Sequence, residues 1–126
     1  MSWTRTLMGL WKNHEETSEH SPSPKLRTPY YNIRKEQVIE TVLKTLSTLP
    51  DWSIIHKDLE RGEIMVEKRH PLFGSEDIVI SVYGVSGSES ALDIVSAKRG
   101  AGGDFGSSYR NITTFLNKLH KEIKPK

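Results

Sequence analysis

The sequence contains no cysteine, and only 8% of its residues are aromatic. The missing cysteine excludes disulfide bonds, a thiolate nucleophile and a thiolate-ligated metal site. No stretch approaches the roughly 18 consecutive apolar residues that a membrane-spanning helix requires. The first residues are not typical of a signal peptide, because their apolar positions are interrupted and no small-residue cleavage site follows. We therefore expect a cytoplasmic protein.

The composition is that of a small globular domain. The 126 residues are 35% hydrophobic and 27% charged, with a formal net charge of +2, which suits one core and one domain. Much of the positive charge lies near the end of the chain, where cations complement the dipole of a closing helix. A basic stripe interleaved with aromatic residues, the usual mark of nucleic-acid binding, is missing. We do not expect a nucleic-acid partner.

Four segments differ in composition. Residues 1–12 read as a short amphipathic segment. Residues 13–28 are polar and contain two prolines, so they predict a flexible linker. Residues 29–123 carry the periodic apolar patterns of a single domain, and residues 124–126 form a tail. The fold is therefore expected to lie within 29–123.

Apolar spacing within this domain predicts the order β-α-β-β-β-β-α. Three- and four-residue spacing indicates the helices, and Pro50 ends the first of them. Gly62 stands where a hairpin turn needs a positive φ. The predicted helices cover 35–49 and 109–123, and the predicted strands cover 30–33, 52–59, 63–69, 77–83 and 91–98.

Each predicted helix has one apolar face, and the sheet has one clearly apolar face. The expected fold class is α+β: a two-layer sandwich with a mainly antiparallel sheet of about five strands and two helices on one face. The opposite face mixes apolar and polar residues, which makes it a candidate docking surface. Its members are Met65, Glu67, Val79, Ser81, Tyr83, Asp93 and Val95.

The N-terminal segment is a candidate interface. Trp3, Leu7, Leu10 and Trp11 lie on one face of a short helix. Tryptophan at the edge of an apolar face suits a membrane surface, although one such short segment supports only weak, reversible contact. Docking against the protein's own sheet, a protein partner or a second copy in a homo-oligomer is an equal alternative.

No constellation typical of an enzyme stands out. The five histidines lack the spacing of a helical metal site, and no Gly-x-Ser-x-Gly sequence follows a strand. We therefore predict no catalytic residues, no metal and no cofactor, and the sequence favours a protein that is not an enzyme.

A glycine-rich junction joins the last strand to the last helix and is the main candidate binding site. Backbone N–H groups that open into a helix N-terminus can form an anion-binding concavity, with arginines supplying charge-assisted hydrogen bonds. The candidate residues are Arg99, Gly102, Gly103, Asp104, Gly106 and Arg110.

A structural interpretation competes with this one. Asp104 can cap the last helix by accepting a hydrogen bond from the N–H of Ser107, which would occupy a donor that a ligand needs and repel a phosphate. The spacing matches neither a phosphate-binding P-loop nor a dinucleotide fingerprint. Capping and binding both stay open, with capping the more common use of such residues.

Two segments together resemble a known family. Pro71-Leu72-Phe73-Gly74-Ser75-Glu76-Asp77, followed by the run from Ser96 to Arg110, is similar to the domain of unknown function 1499 family. The resemblance extends from about Tyr30 to Leu119. It marks Leu72, Phe73, Gly74 and Asp77 as a motif turn that belongs with the glycine-rich junction. Because the family has no established activity, the resemblance implies a shared fold and motif only.

We interpret the chain as a binding or interaction module that is not an enzyme, with a partner protein, a membrane surface or a small ligand as its target. The alternative is an anionic small-molecule binding protein or enzyme that uses Arg99, Asp104 and Arg110.

Overall fold

The computed structural model describes residues 14–70, 74–98 and 107–126. The predicted helices and the five predicted strands are all present, and one further strand precedes them. The elements are β1 (His14–Glu16), a 3-10 helix (Pro24–Leu26), β2 (Tyr30–Tyr31), α1 (Lys35–Ser47), β3 (Trp52–Asp58), β4 (Glu63–His70), β5 (Gly74–Ser86), β6 (Glu89–Lys98) and α2 (Ser107–Leu119).

The six strands form one antiparallel sheet in the order β1-β6-β5-β4-β3, and β2 also pairs with β6. The strands β3 to β6 follow one another as a meander, because short hairpin turns place consecutive strands side by side. With both helices on one side, this arrangement confirms the predicted α+β sandwich with an antiparallel sheet.

The turn between β3 and β4 depends on Gly62. Its φ is +75°, a region that favours glycine, and an added Cβ would collide with the carbonyl oxygen of Val82. The same close approach lets the Val82 N–H donate to the Gly62 carbonyl oxygen at 2.8 Å. The predicted role of this glycine is thus confirmed.

The core lies between the two helices and the inner face of the sheet. Side chains alternate along each strand, so Ile78, Ile80 and Val82 of β5 all face inward. Trp52 stacks on Phe115 of α2 with the ring centroids 6.1 Å apart. Each such buried side chain contributes about 1.5–3 kcal/mol of transfer free energy, which holds both helices on the same face. The buried helix residues are Val38, Ile39, Val42, Leu46, Ile112, Phe115, Leu116 and Leu119.

The structure corrects the flexible linker predicted for residues 13–28. Within the described part, β1 pairs with β6, and Leu26 joins the core with only 6% of its surface exposed. The Thr17 hydroxyl donates to Asp93 Oδ1 at 2.8 Å. The composition misleads because this segment is held largely by backbone pairing and hydroxyl hydrogen bonds, which leave little apolar signature.

The outer face of the sheet has the mixed character predicted for it. Met65, Val79 and Val95 are buried, and so are the polar side chains of Glu67 and Ser81. At the far end of β5, Tyr83 is 45% exposed. Apolar and charged groups therefore share this face, in contrast to the apolar inner face.

Candidate functional site

The structure describes only part of the predicted site. Gly74, Asp77 and Arg110 belong to described elements. The other candidate residues lie outside the described residues: Trp3, Leu7, Leu10, Trp11, Leu72, Phe73, Arg99, Gly102, Gly103, Asp104 and Gly106.

The two motif segments attach to the same end of the sandwich. The first leads into β5, which begins at Gly74, and the second follows β6, which ends at Lys98 and lies beside β5 with Glu76 opposite Lys98. We call this the motif end and define it by residues 74–77, 96–98 and 107–111. Antiparallel pairing thus explains how segments some twenty residues apart in sequence form one pattern.

A buried hydrogen-bonded cluster lies at the motif end, on the inner face. The side-chain amide of Asn111 in α2 donates to Glu76 Oε2, and to Ser96 Oγ at 3.2 Å. Its carbonyl oxygen accepts from Lys68 Nζ at 2.8 Å. We call Lys68, Glu76, Ser96 and Asn111 the inner polar cluster. Glu76, Ser96 and Asn111 are buried, so the cluster fastens α2 to three strands.

Two lysines flank one carboxylate in this part of the inner face. Glu76 lies between Lys68 on β4 and Lys98 on β6, its cross-strand neighbours on either side. Side chains directly opposite each other in a sheet interact, so both ammonium groups bear on one carboxylate.

Ser108 adds an unusual feature to the first turn of α2. Its side chain is fully buried, and no hydrogen-bond partner of its hydroxyl is found in the described part of the chain. Most buried polar groups have a partner, and leaving one unsatisfied costs about 1–3 kcal/mol. Because Ser108 lies one helical turn before Asn111, the unpaired hydroxyl neighbours the inner polar cluster.

The three predicted site residues that the structure describes have different surroundings. Asp77 is buried on the outer face, next to Glu67 across the strand pair, so it does not join Glu76. Gly74 has φ of +83°, and the space that a Cβ would occupy there is open, so its requirement is conformational. Arg110 is exposed on α2 beside Asn111.

Sequence reasoning did not single out the inner polar cluster. Each of its three strand residues occupies an inward position at the end of the alternating apolar residues of its strand: Lys68 on β4, Glu76 on β5 and Ser96 on β6. A signal was present, because Lys68 follows Ile64 and Val66 at two-residue spacing, and Glu76 precedes Ile78 and Ile80 in the same way. A polar residue on an apolar face indicates a specific partner. That the partner is Asn111 is evident only from the structure.

Other possible sites in the described ranges are less specific. No group of three or more histidine, aspartate or glutamate side chains there could hold a metal ion. A cleft of about 210 Å³ between the ends of α1 and α2 is lined by Lys44, Lys118 and Lys121, but cations at helix C-termini are explained by the helix dipole. Neither described helix is long and apolar enough to cross a membrane.

A comparison with known families matches residues 10–119 to the family described as "Protein of unknown function (DUF1499)". The chain belongs to this family. The resemblance inferred from the two motifs is thereby confirmed, and the match begins earlier than Tyr30. It includes β1 and the 3-10 helix, in agreement with their packing against the sheet.

Solved structures of other proteins have a similar fold. The di-domain ARO/CYC protein BexL, from the BE-7585A biosynthetic pathway, superposes with a TM-score of 0.58 at 12% identity, covering 85% of this chain. This chain spans 45% of that protein's length. The Zhui aromatase/cyclase from a Streptomyces species gives a TM-score of 0.47 at 12% identity over 87% of this chain and 85% of its own. At 12% identity the likeness to BexL shows a shared fold alone. No curated protein sequence matches significantly.

Proposed function

We propose that this chain is a binding module, not an enzyme, and that its motif end holds a small anionic ligand. The observation that carries the proposal is the buried Ser108 hydroxyl, which lacks a described partner and lies one helical turn from Asn111 of the inner polar cluster. A ligand oxygen would accept from this hydroxyl and so remove the cost of leaving it unsatisfied.

The first turn of α2 adds to the attraction for an anion. It contains no acidic residue, so no carboxylate within the helix offsets the partial positive charge of its N-terminus. Backbone N–H groups in a first turn lack intrahelical acceptors and are suited to phosphate or carboxylate oxygens. The N-terminus of α2 and the lysine side chains therefore favour a negatively charged ligand, and the Ser108 hydroxyl can donate a hydrogen bond to it.

Lys68 is the cluster member best placed to meet a ligand first. It is partly exposed, whereas Glu76, Ser96 and Asn111 are buried. Because Ser108 is also buried, the ligand has to enter the motif end and cannot simply rest on its surface. Asn111 donates two hydrogen bonds and accepts one within the cluster, so it positions the cluster and leaves Lys68 and Ser108 to contact the ligand.

Titration of the full chain with inorganic phosphate, acetate and benzoate tests the proposal. We expect at least one anion to bind saturably. Calorimetry and changes in the NMR signals of the Asn111 side-chain amide measure this binding. Lys68→Gln should weaken binding roughly tenfold, because it removes a charge-assisted contact. The matched control Lys57→Gln changes an exposed lysine on β3 and should leave affinity unchanged.

Two results would contradict the proposal. One is the absence of saturable binding for all three anions. The other is equal loss of affinity in Lys68→Gln and Lys57→Gln, which would indicate only a general charge effect. Chemical conversion of a bound anion would instead support the enzyme alternative that uses Arg99, Asp104 and Arg110.

The N-terminal segment and the location of the protein belong to the same proposal. Trp3, Leu7, Leu10 and Trp11 would provide a second contact, with the sheet, a partner or a membrane surface. The cysteine-free composition supports a cytoplasmic location. Sedimentation with anionic vesicles of the full chain and of a chain lacking residues 1–12 would distinguish the membrane from the other targets.

A further inference from the structure

A cleft on the outer side of the sheet differs in chemistry from the motif end. It has a volume of about 500 Å³ and lies between the segment after β1 and the hairpin of β5 and β6. This volume is within the range of small-molecule sites. We call it the outer cleft and define it by Glu19, Tyr30, Tyr83, Val85, Ala91 and Asp93, which line it.

Asp93 provides one uncompensated negative charge in the outer cleft. Its Oδ1 atom accepts from the Thr17 hydroxyl at 2.8 Å and from the Thr28 hydroxyl at 2.6 Å. Tyr83 lies close enough for the charge of this carboxylate to raise the pKa of its phenol. These donors are neutral, so they solvate the charge without cancelling it.

Glu19 provides a second negative charge under similar conditions. It accepts a hydrogen bond from the Tyr30 phenol, again a neutral donor. Among the described residues that line the outer cleft there is no lysine or arginine, and His20 is the one basic side chain. Within the described ranges no ion pair involves Glu19 or Asp93. Two carboxylates thus face one cleft without a cationic partner.

The remaining walls suit an organic ligand. Tyr83 and Val85 are 45% and 50% exposed, so an aromatic ring and an apolar side chain are available for contact. Burial, and then the charge of Asp93, raise the pKa of Tyr83 to about 12. Tyr83 therefore stays a neutral phenol whose ring face can attract a cation.

We propose that the outer cleft binds a small organic cation through an ammonium group. The carboxylates of Asp93 and Glu19 supply the opposite charge, the Tyr83 ring supplies a cation–π contact, and Val85 and Ala91 contact the carbon chain. This site is separate from the inner polar cluster and Ser108, for which we propose an anion. Failure of either proposal therefore leaves the other intact.

Calorimetric titration of the full chain with propylammonium chloride tests the proposal, with 1-propanol as the neutral probe of similar size. We expect saturable binding of the cation and none of the alcohol. Glu19→Gln and Asp93→Asn should each weaken binding roughly tenfold, because each removes a charge from a partly enclosed site. Glu40→Gln, an exposed change on α1, is the control and should have no effect.

Tyr83 variants separate the ring from its hydroxyl. Tyr83→Leu should weaken binding by about fivefold through loss of the cation–π contact, whereas Tyr83→Phe should retain most of the affinity. Because Asp93 also fastens residues 17 and 28, Asp93→Asn requires a parallel unfolding measurement. Glu19 is exposed, so Glu19→Gln keeps the test decisive even if Asp93→Asn unfolds.

Three outcomes would overturn the proposal: no saturable binding of propylammonium at millimolar concentration, equal binding of propanol, or unchanged affinity in Glu19→Gln. Equal binding of propanol would show that the cleft binds the apolar chain and does not recognise the charge. Unchanged affinity in Glu19→Gln would show that the second carboxylate, on which the proposal depends, does not contact the cation.

Discussion

Glu76 and Asp93 are two carboxylates that fasten different segments to the same sheet, and their surroundings differ in charge. Glu76 is buried on the inner face, accepts from Asn111 and lies between two lysines. Asp93 is half-buried on the outer side and accepts only from hydroxyls. The first holds helix α2, and the second holds residues 17–28.

The difference lies in what each carboxylate leaves for a ligand. A charge moved out of water needs an opposite charge or several hydrogen bonds. Glu76 has both. The described partners of Asp93 supply hydrogen bonds but no opposite charge, so they do not neutralise its negative charge. Our two proposals therefore assign an anion to the motif end and a cation to the outer cleft.

The largest expected effect concerns the inner polar cluster. Asn111→Ala removes both hydrogen bonds that its amide donates and leaves Glu76 buried without that donor, which should lower the free energy of unfolding by about 3 kcal/mol. Urea unfolding measures the change. Asn117→Ala, an exposed substitution on the same helix, should cost less than about 0.5 kcal/mol. Similar losses in the two variants would mean that the cluster adds little to stability.

A smaller effect tests the segment that Asp93 fastens. Leu26 is 6% exposed and belongs to the core, so Leu26→Ala should lower the free energy of unfolding by about 2 kcal/mol. Leu59→Ala serves as the control, because Leu59 is 47% exposed. If thermal unfolding shows no difference between them, residues 14–28 behave as the predicted linker and Asp93 fastens nothing of consequence.

The smallest expected effect is the contribution of His120 to the pH dependence of stability. His120 Nε2 lies 2.7 Å from the Tyr31 hydroxyl, and burial lowers the pKa of His120 below its ordinary value of 6.5. The unfolded chain therefore binds the proton more readily, so stability is full above pH 6.5 and falls as the pH decreases toward the folded-state pKa.

Unfolding experiments between pH 7.5 and pH 5.5 check this sign. His120→Gln removes the titrating ring and should flatten the pH dependence in that range. An unchanged slope in the variant would show that His120 is not the source of the acid sensitivity.

Most of the fold was predictable from periodicity. The apolar spacing in 35–49 and 109–123 corresponds to α1 and α2, and the alternation around Gly62 corresponds to the first hairpin. Residues 14–28 were not predictable in this way, because β1 and the hydroxyl contacts to Asp93 leave little apolar pattern. A strand of three residues is too short for alternation to show.

The candidate site was predictable only in outline. The motif segments pointed to one functional region, and the structure brings their described flanks together. The sequence did not predict the contacts among Lys68, Glu76 and Asn111, because a polar residue within an amphipathic pattern does not indicate its partner. The outer cleft was not predicted either, because Glu19 and Asp93 are far apart in sequence.

The sequence by itself determined the two helices, the antiparallel meander, the inner apolar face and the family, because each depends on local periodicity or on a contiguous motif. Only the tertiary structure decided which charges are compensated. That outcome depends on strand register and on helix packing, which place Asn111 and two lysines around Glu76 but only hydroxyls around Asp93. Electrostatic compensation is a matter of distances between groups remote in sequence, and no local pattern encodes those distances.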